Sequence, residues 1–164
     1  MATLIGAGSH ARDILISGEN VGLQIDHHSE WHKVKDHSNS VIIGINNPQT
    51  RAAIAKELGV VDRTWTHPSA VMTDTRWGAG THINAGTVII RTRIGHHTTI
   101  SPGVTICGDV TIGDRVLVGA GATICDRVTI GSDVTVGAGA VVLPETIIPD
   151  GETWVGVPAR KVKP

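Results

Sequence analysis

The residues best placed to do chemistry begin at a glycine-rich turn, Gly6-Ala7-Gly8-Ser9-His10-Ala11. In the form G-x-G-x-x-A, between a strand and a helix, such a turn lets backbone N–H groups and the positive end of a helix dipole face a phosphate. Asp26 follows Gly6 by 20 residues, a distance suited to an acid that binds a ribose hydroxyl. Histidines form two further sets. His27, His28, His32 and His37 crowd one polar stretch, where solvated side chains are the favoured reading over a metal site, because no cysteine joins them. His96 and His97 stand side by side and could serve as a base in proton transfer. Arg91 and Arg93 lie just before them and suit a phosphate or a carboxylate.

The elements that hold these residues differ in the two parts of the chain. Thr3 to Ile5 reads as a buried strand, and Ala11 to Ser17 as a helix. Ser40 to Ile45 reads as another strand and Gln49 to Leu58 as a second helix, so residues 1–66 are expected to form a small Rossmann-like α/β nucleotide-binding domain. From residue 67 to 164 a period of six takes over. Ile94, Ile100, Ile106, Ile112, Val118, Ile124, Ile130, Val136, Val142 and Ile148 are all β-branched aliphatics. Six residues fit a short strand plus a turn, and three such units close one coil of a parallel β-helix. A chain with no Phe and no Tyr, in which Ile, Leu and Val supply about a quarter of the residues, suits a narrow core of that kind. Val71, Trp77, Ile83 and Ile89 extend the period upstream, but Ile94 follows Ile89 by five, so one residue is missing within Ile90-Arg91-Thr92-Arg93. Cys107 and Cys125, 18 apart, should stack on adjacent coils as reduced thiols.

The net charge of −1 gives no general attraction to nucleic acid or anionic membranes. No apolar run approaches a membrane span, and the expectation is a protein of the cytoplasm.

The segments GAGSHARDIL, VIIGINNPQTRAAIAKEL, THPSAV, SPGVTICGDVTIGD, VGAGATI and GVPAR resemble, in order, the bacterial sialic-acid and bacillosamine-pathway acetyltransferases. These are hexapeptide-repeat sugar O- and N-acetyltransferases. The resemblance implies a left-handed β-helix, a homotrimer, and transfer of acetyl from acetyl-CoA to the amine of a nucleotide-linked sugar. It also implies that Gly6, Gly8, Ser9, His10, Asp26 and Asn46 line the nucleotide site. Thr99, Gly108, Ala120 and Ala138 would line the acetyl-CoA channel, with Arg160, Lys161 and Lys163 near the CoA phosphates. No metal is implied. The family keeps a catalytic histidine in the turn before an Ile-Gly hexad, and here Arg91 or Thr92 stands in that place. An arginine cannot act as a base near neutrality. His96 or His97 are the expected substitutes, with His82 a more distant one. Two other readings stay open: an inactive nucleotide-binding scaffold, and a zinc hydratase using histidines across a subunit interface.

Overall fold

The computed structural model describes residues 2–5, 23–26 and 40–162. Three short parallel strands come first: β1 (Ala2–Ile5), β2 (Leu23–Asp26) and β3 (Ser40–Ile43), in the order β2-β1-β3. The chain leaves β3 through Asn46 and Asn47 into helix α1, Pro48–Leu58. The Asn47 side chain accepts the Thr50 N–H, Pro48 sits where a missing N–H costs nothing, and Gly59 ends the helix at φ 64°. Val41 and Ile43 pack on Ile54 and Ala55 in a small apolar core.

Everything from Trp65 onward belongs to a solenoid of three parallel sheets. The first face runs from the strand Trp65–Thr66 to Thr153–Val155, with Arg160–Lys161 added antiparallel at its end. The second face runs from Val71–Thr73 to Val141–Val142, and the third from Arg76–Trp77 to Ile147–Ile148. Each strand has only two or three residues, and its N–H groups bond to carbonyls one coil away. The coils wind as a left-handed parallel β-helix. Right-handed crossovers elsewhere follow from strand twist, and strands this short carry little of it.

The inward residues stack as continuous ladders: Ile83, Ile100, Val118 and Val136 on the first face; Met72, Ile89, Ile106, Ile124 and Val142 on the second; Trp77, Ile94, Ile112, Ile130 and Ile148 on the third. Val104, Val116, Ala122, Val128, Val134 and Ala140 fill the corners between them with no exposed surface. One ladder position corrects the sequence reading. Met72, not Val71, pairs with Ile89, and Val71 is 59% exposed on the outer surface. The coil step is 17 residues from Met72 to Ile89 and from Trp77 to Ile94, against 18 from Ile94 to Ile112. A residue is therefore missing twice, within 73–76 and again within 90–93. The two shortened turns lie one above the other.

Candidate active site

Each corner of the solenoid needs a residue with positive φ, and the three corners meet that need differently. Between the first and second faces it is glycine: Gly86, Gly103, Gly121 and Gly139. Between the second and third faces it is Asp74, Arg91, Asp109, Arg127 and Glu145, alternating in sign up the stack. Between the third and first faces the non-glycine members are His97, Arg115 and Asp133. Ion pairs bridge successive coils: Arg91 with Asp109 at 3.2 Å, Arg127 with Glu145 at 2.9 Å and Arg115 with Asp133 at 2.8 Å. The hydrogen bond from Arg91 holds the Asp109 carboxyl below its ordinary range, and the guanidinium is raised in turn. Arg91 is thus a corner residue whose charge is engaged by Asp109. Its guanidinium lies directly over Gly108, so close that a Cβ at Gly108 would collide with it. Gly108, expected in the acetyl-CoA channel, is buried beneath that side chain.

His96 and His97 point to different places. The exposed His96 continues a side-chain ladder: Asp114 accepts its N–H at 2.7 Å, Ser132 Oγ accepts that of Asp114, and Asp150 accepts that of Ser132. At the lower end, His96 Nδ1 accepts the Ala79 N–H at 3.1 Å. That bond needs a lone pair on Nδ1, so the neutral ring carries its proton on Nε2 and offers solvent a donor. In this arrangement the Nδ1 lone pair of His96, one of the two expected bases, is engaged by the backbone. His82, the more distant candidate, has no exposed surface and packs edge-on against Trp65.

His97 folds back toward the first part of the chain. Its Nδ1 is 3.5 Å from Asp62 Oδ2, with the imidazole 20% exposed and the carboxylate fully buried. Asp62 Oδ1 accepts the Ile43 N–H at 2.9 Å, tying the pair to β3. Neither Nδ1 nor Oδ2 has a hydrogen-bond partner at this separation; an Nδ1–H directed at Oδ2 would leave the Nε2 lone pair free, which is the tautomer a base requires. Gly80 makes room for this, since a Cβ there would run into both His97 and Asp62.

Arg51, from helix α1, locks the arrangement. It donates to the carbonyls of Gly80 (3.0 Å), Ile45 (2.7 Å), His97 (2.7 Å) and Thr98 (3.2 Å), and to Thr99 Oγ1 (3.0 Å). Its Nε also lies 3.4 Å from Asp62 Oδ2. Burial pulls its pKa down to about 10, with Asp62 opposing the shift, so it stays charged at neutrality. Thr99, expected in the acetyl-CoA channel, is instead fully buried, and its hydroxyl also donates to the Asn46 carbonyl at 3.0 Å. Neither Arg51 nor Asp62 is marked by the sequence, where one looks like an ordinary helix arginine and the other like a loop acid.

The remaining candidates separate by place. Asn46 is exposed at the end of β3, and Asp26 ends the neighbouring β2. Gly6, Gly8, Ser9 and His10, with the histidines at 27, 28, 32 and 37, lie outside the described residues. Ala120 and Ala138 are exposed one coil apart at the glycine corner, where the Gly139 N–H donates to the Ala120 carbonyl at 2.8 Å. Arg160 is exposed at the C-terminal end, while Lys161 is held by Glu152 at 2.6 Å. Cys107 and Cys125 are free thiols on adjacent coils, and burial pushes the Cys107 thiol up. Among the described residues no three His, Cys, Asp or Glu side chains gather as a metal set.

Comparison with known proteins adds a family and a set of solved folds. The bacterial transferase hexapeptide model (six repeats) matches residues 91–126. The chain carries that repeat. No curated protein matches the sequence significantly. Among solved structures, PerB from Caulobacter crescentus in complex with CoA and GDP-perosamine is 25% identical, with 99% of this chain and 97% of that one covered at a TM-score of 0.73. A variant of perosamine N-acetyltransferase from the same bacterium, with the same two ligands, gives 24%, 99%, 97% and 0.79. The acetyltransferase domain of PglB from Neisseria gonorrhoeae, in complex with acetyl coenzyme A, gives 23%, 98%, 98% and 0.76. Among the described residues no helix is long and apolar enough to cross a membrane.

Proposed function

We propose that this protein is an acetyl-CoA-dependent N-acetyltransferase acting on the amine of a nucleotide-linked amino sugar. The observation that carries the reading is the end-to-end likeness to PerB, which spans the N-terminal sheet and the β-helix together and was solved with CoA and GDP-perosamine. In this reading residues 1–66 hold the nucleotide, at Gly6, Gly8, Ser9 and His10 with Asp26 and Asn46 beside them. Acetyl-CoA lies along the glycine corner past Ala120 and Ala138, with Arg160 near its phosphates. A homotrimer, formed in the cytoplasm, sets that corner against the neighbouring subunit.

His97 supplies the base. The neutral amine attacks the thioester carbonyl, forming a C–N bond and a tetrahedral oxyanion. Nε2 of His97 takes the proton released by the amine as the C–S bond breaks. That proton passes to the departing thiolate, leaving the amide and free CoA. Asp62 is the positioning residue in this reading: its buried carboxylate lies 3.5 Å from Nδ1, and in the reacting complex it would hold the Nδ1 proton and so fix which nitrogen is basic.

The test is thiol release from acetyl-CoA in the presence of nucleotide-linked amino sugars. Turnover with an amine and none without it supports the reading; no turnover with any amine, together with no CoA binding, sinks it. A protein that binds nucleotide without turnover would be the inactive scaffold instead.

A further inference from the structure

The stacked, shortened turns place three arginines around one groove. It has a volume of about 330 Å³ and is lined by Asp74, Arg76, Arg91, Arg93 and Asp109, with Thr111 at its upper edge. Arg76 and Arg93 are direct register partners on the two lowest strands of the third face, so their Cα atoms sit about 4.8 Å apart. Both side chains are exposed on the outer surface, and neither makes an ion pair among the described residues. Like charges directly opposite in a sheet destabilise it. Higher up the same ladder the register partners are Thr111, Thr129 and Ile147, so the outer surface of this face does not itself call for arginine. Asp109 is already engaged by Arg91 through two hydrogen bonds, at 3.2 Å and 3.3 Å, and does not neutralise the pair.

We propose that this groove is a binding site for a phosphate monoester, held between Arg76 and Arg93. A carboxylate carries one charge and is satisfied by a single forked guanidinium, whereas two adjacent guanidiniums match the dianion of a phosphate monoester at neutral pH. The missing residues in 73–76 and 90–93 shorten the two stacked turns from which Asp74 and Arg91 line the groove beside the arginine pair. Given the acetyl-transfer reading, two sources carry such a group: the 3′-phosphate of CoA, and a phosphate on the acceptor.

Isothermal titration of the full chain with inorganic phosphate, CoA and dephospho-CoA, repeated on the Arg76→Gln/Arg93→Gln double variant, separates the cases. Both side chains are exposed, so thermal melting of the variant should match the parent. The site predicts that phosphate affinity drops by about tenfold or more in the variant. If CoA binding falls with it while dephospho-CoA binding does not, the group is the 3′-phosphate of CoA. If phosphate binding falls and CoA binding holds, the group belongs to the acceptor. Unchanged phosphate binding overturns the proposal. Phosphate binding is read without an acyl donor, so a failed groove and a failed acetyltransferase reading are told apart.

Discussion

Arg51 has no exposed surface, yet six oxygen atoms surround its guanidinium group, from Ile45, Asp62, Gly80, His97, Thr98 and Thr99. Truncating one partner of a buried charged network strands the others. Arg51→Met should therefore lose about 3–5 kcal/mol of stability in urea denaturation. A loss below about 1 kcal/mol would mean that the network is not the fastening it looks like. The same network explains what the sequence concealed. His97 could be read as a candidate base because histidine is a base, but its neighbour Asp62 is 35 residues away and visible only once the two parts meet. His96 looked equivalent, and a single bond from Ala79 makes it a donor. His97→Gln should lower kcat by about 10²–10⁴, with the KM for acetyl-CoA unchanged. Asp62→Asn should lower kcat in the same direction, and a variant that melts like the parent but keeps full activity and an unaltered profile would remove Asp62 from the mechanism.

At the scale of the coil, stability rests on stacked aliphatics rather than on ion pairs. Ile106 is fully buried between Ile89 and Ile124. Ile106→Ala should cost about 2–5 kcal/mol by denaturant unfolding, from lost transfer energy and the cavity left in a narrow core. The corner pairs contribute much less, since solvent screens exposed ion pairs. Their pH dependence has a definite sign. Asp109 and Asp133 are held below their unfolded value of 3.8 by hydrogen bonds from Arg91 and Arg115. Glu152 is held below 4.5 by Lys161 and Trp154. Their contribution is complete above the unfolded values and is lost as pH falls through the lower folded ones. The melting temperature should be flat above about pH 5 and decline below about pH 4. A melting temperature that rises on acidification would contradict these pairings. The sequence made most of this element plain, because one aliphatic per six residues leaves few ways to bury them all. It misplaced Val71 because a single missing residue shifts the phase by one, and a second loss one coil earlier is invisible when only the spacing from Val71 to Trp77 is read.

For the whole molecule, the N-terminal sheet and the solenoid are joined where helix α1 meets the corner between the third and first faces, through Arg51 and a bond from Gln49 to the Arg115 carbonyl at 3.0 Å. The outer surface of the third face lies between that corner and the one that carries the arginine groove. From Arg93 to His96 is three residues, about 10 Å along an extended chain. A phosphate held by Arg76 and Arg93 could thus be part of a molecule whose reacting end reaches His97. The sequence already indicated the solenoid, but not the junction that turns His97 toward Asp62. The most direct measurement is thiol release from acetyl-CoA with a nucleotide-linked amino sugar, comparing the parent protein with His97→Gln. The account predicts amine-dependent turnover that falls at least about a hundredfold in the variant. Absence of turnover and of CoA binding in the parent, or equal rates in the two proteins, would contradict it.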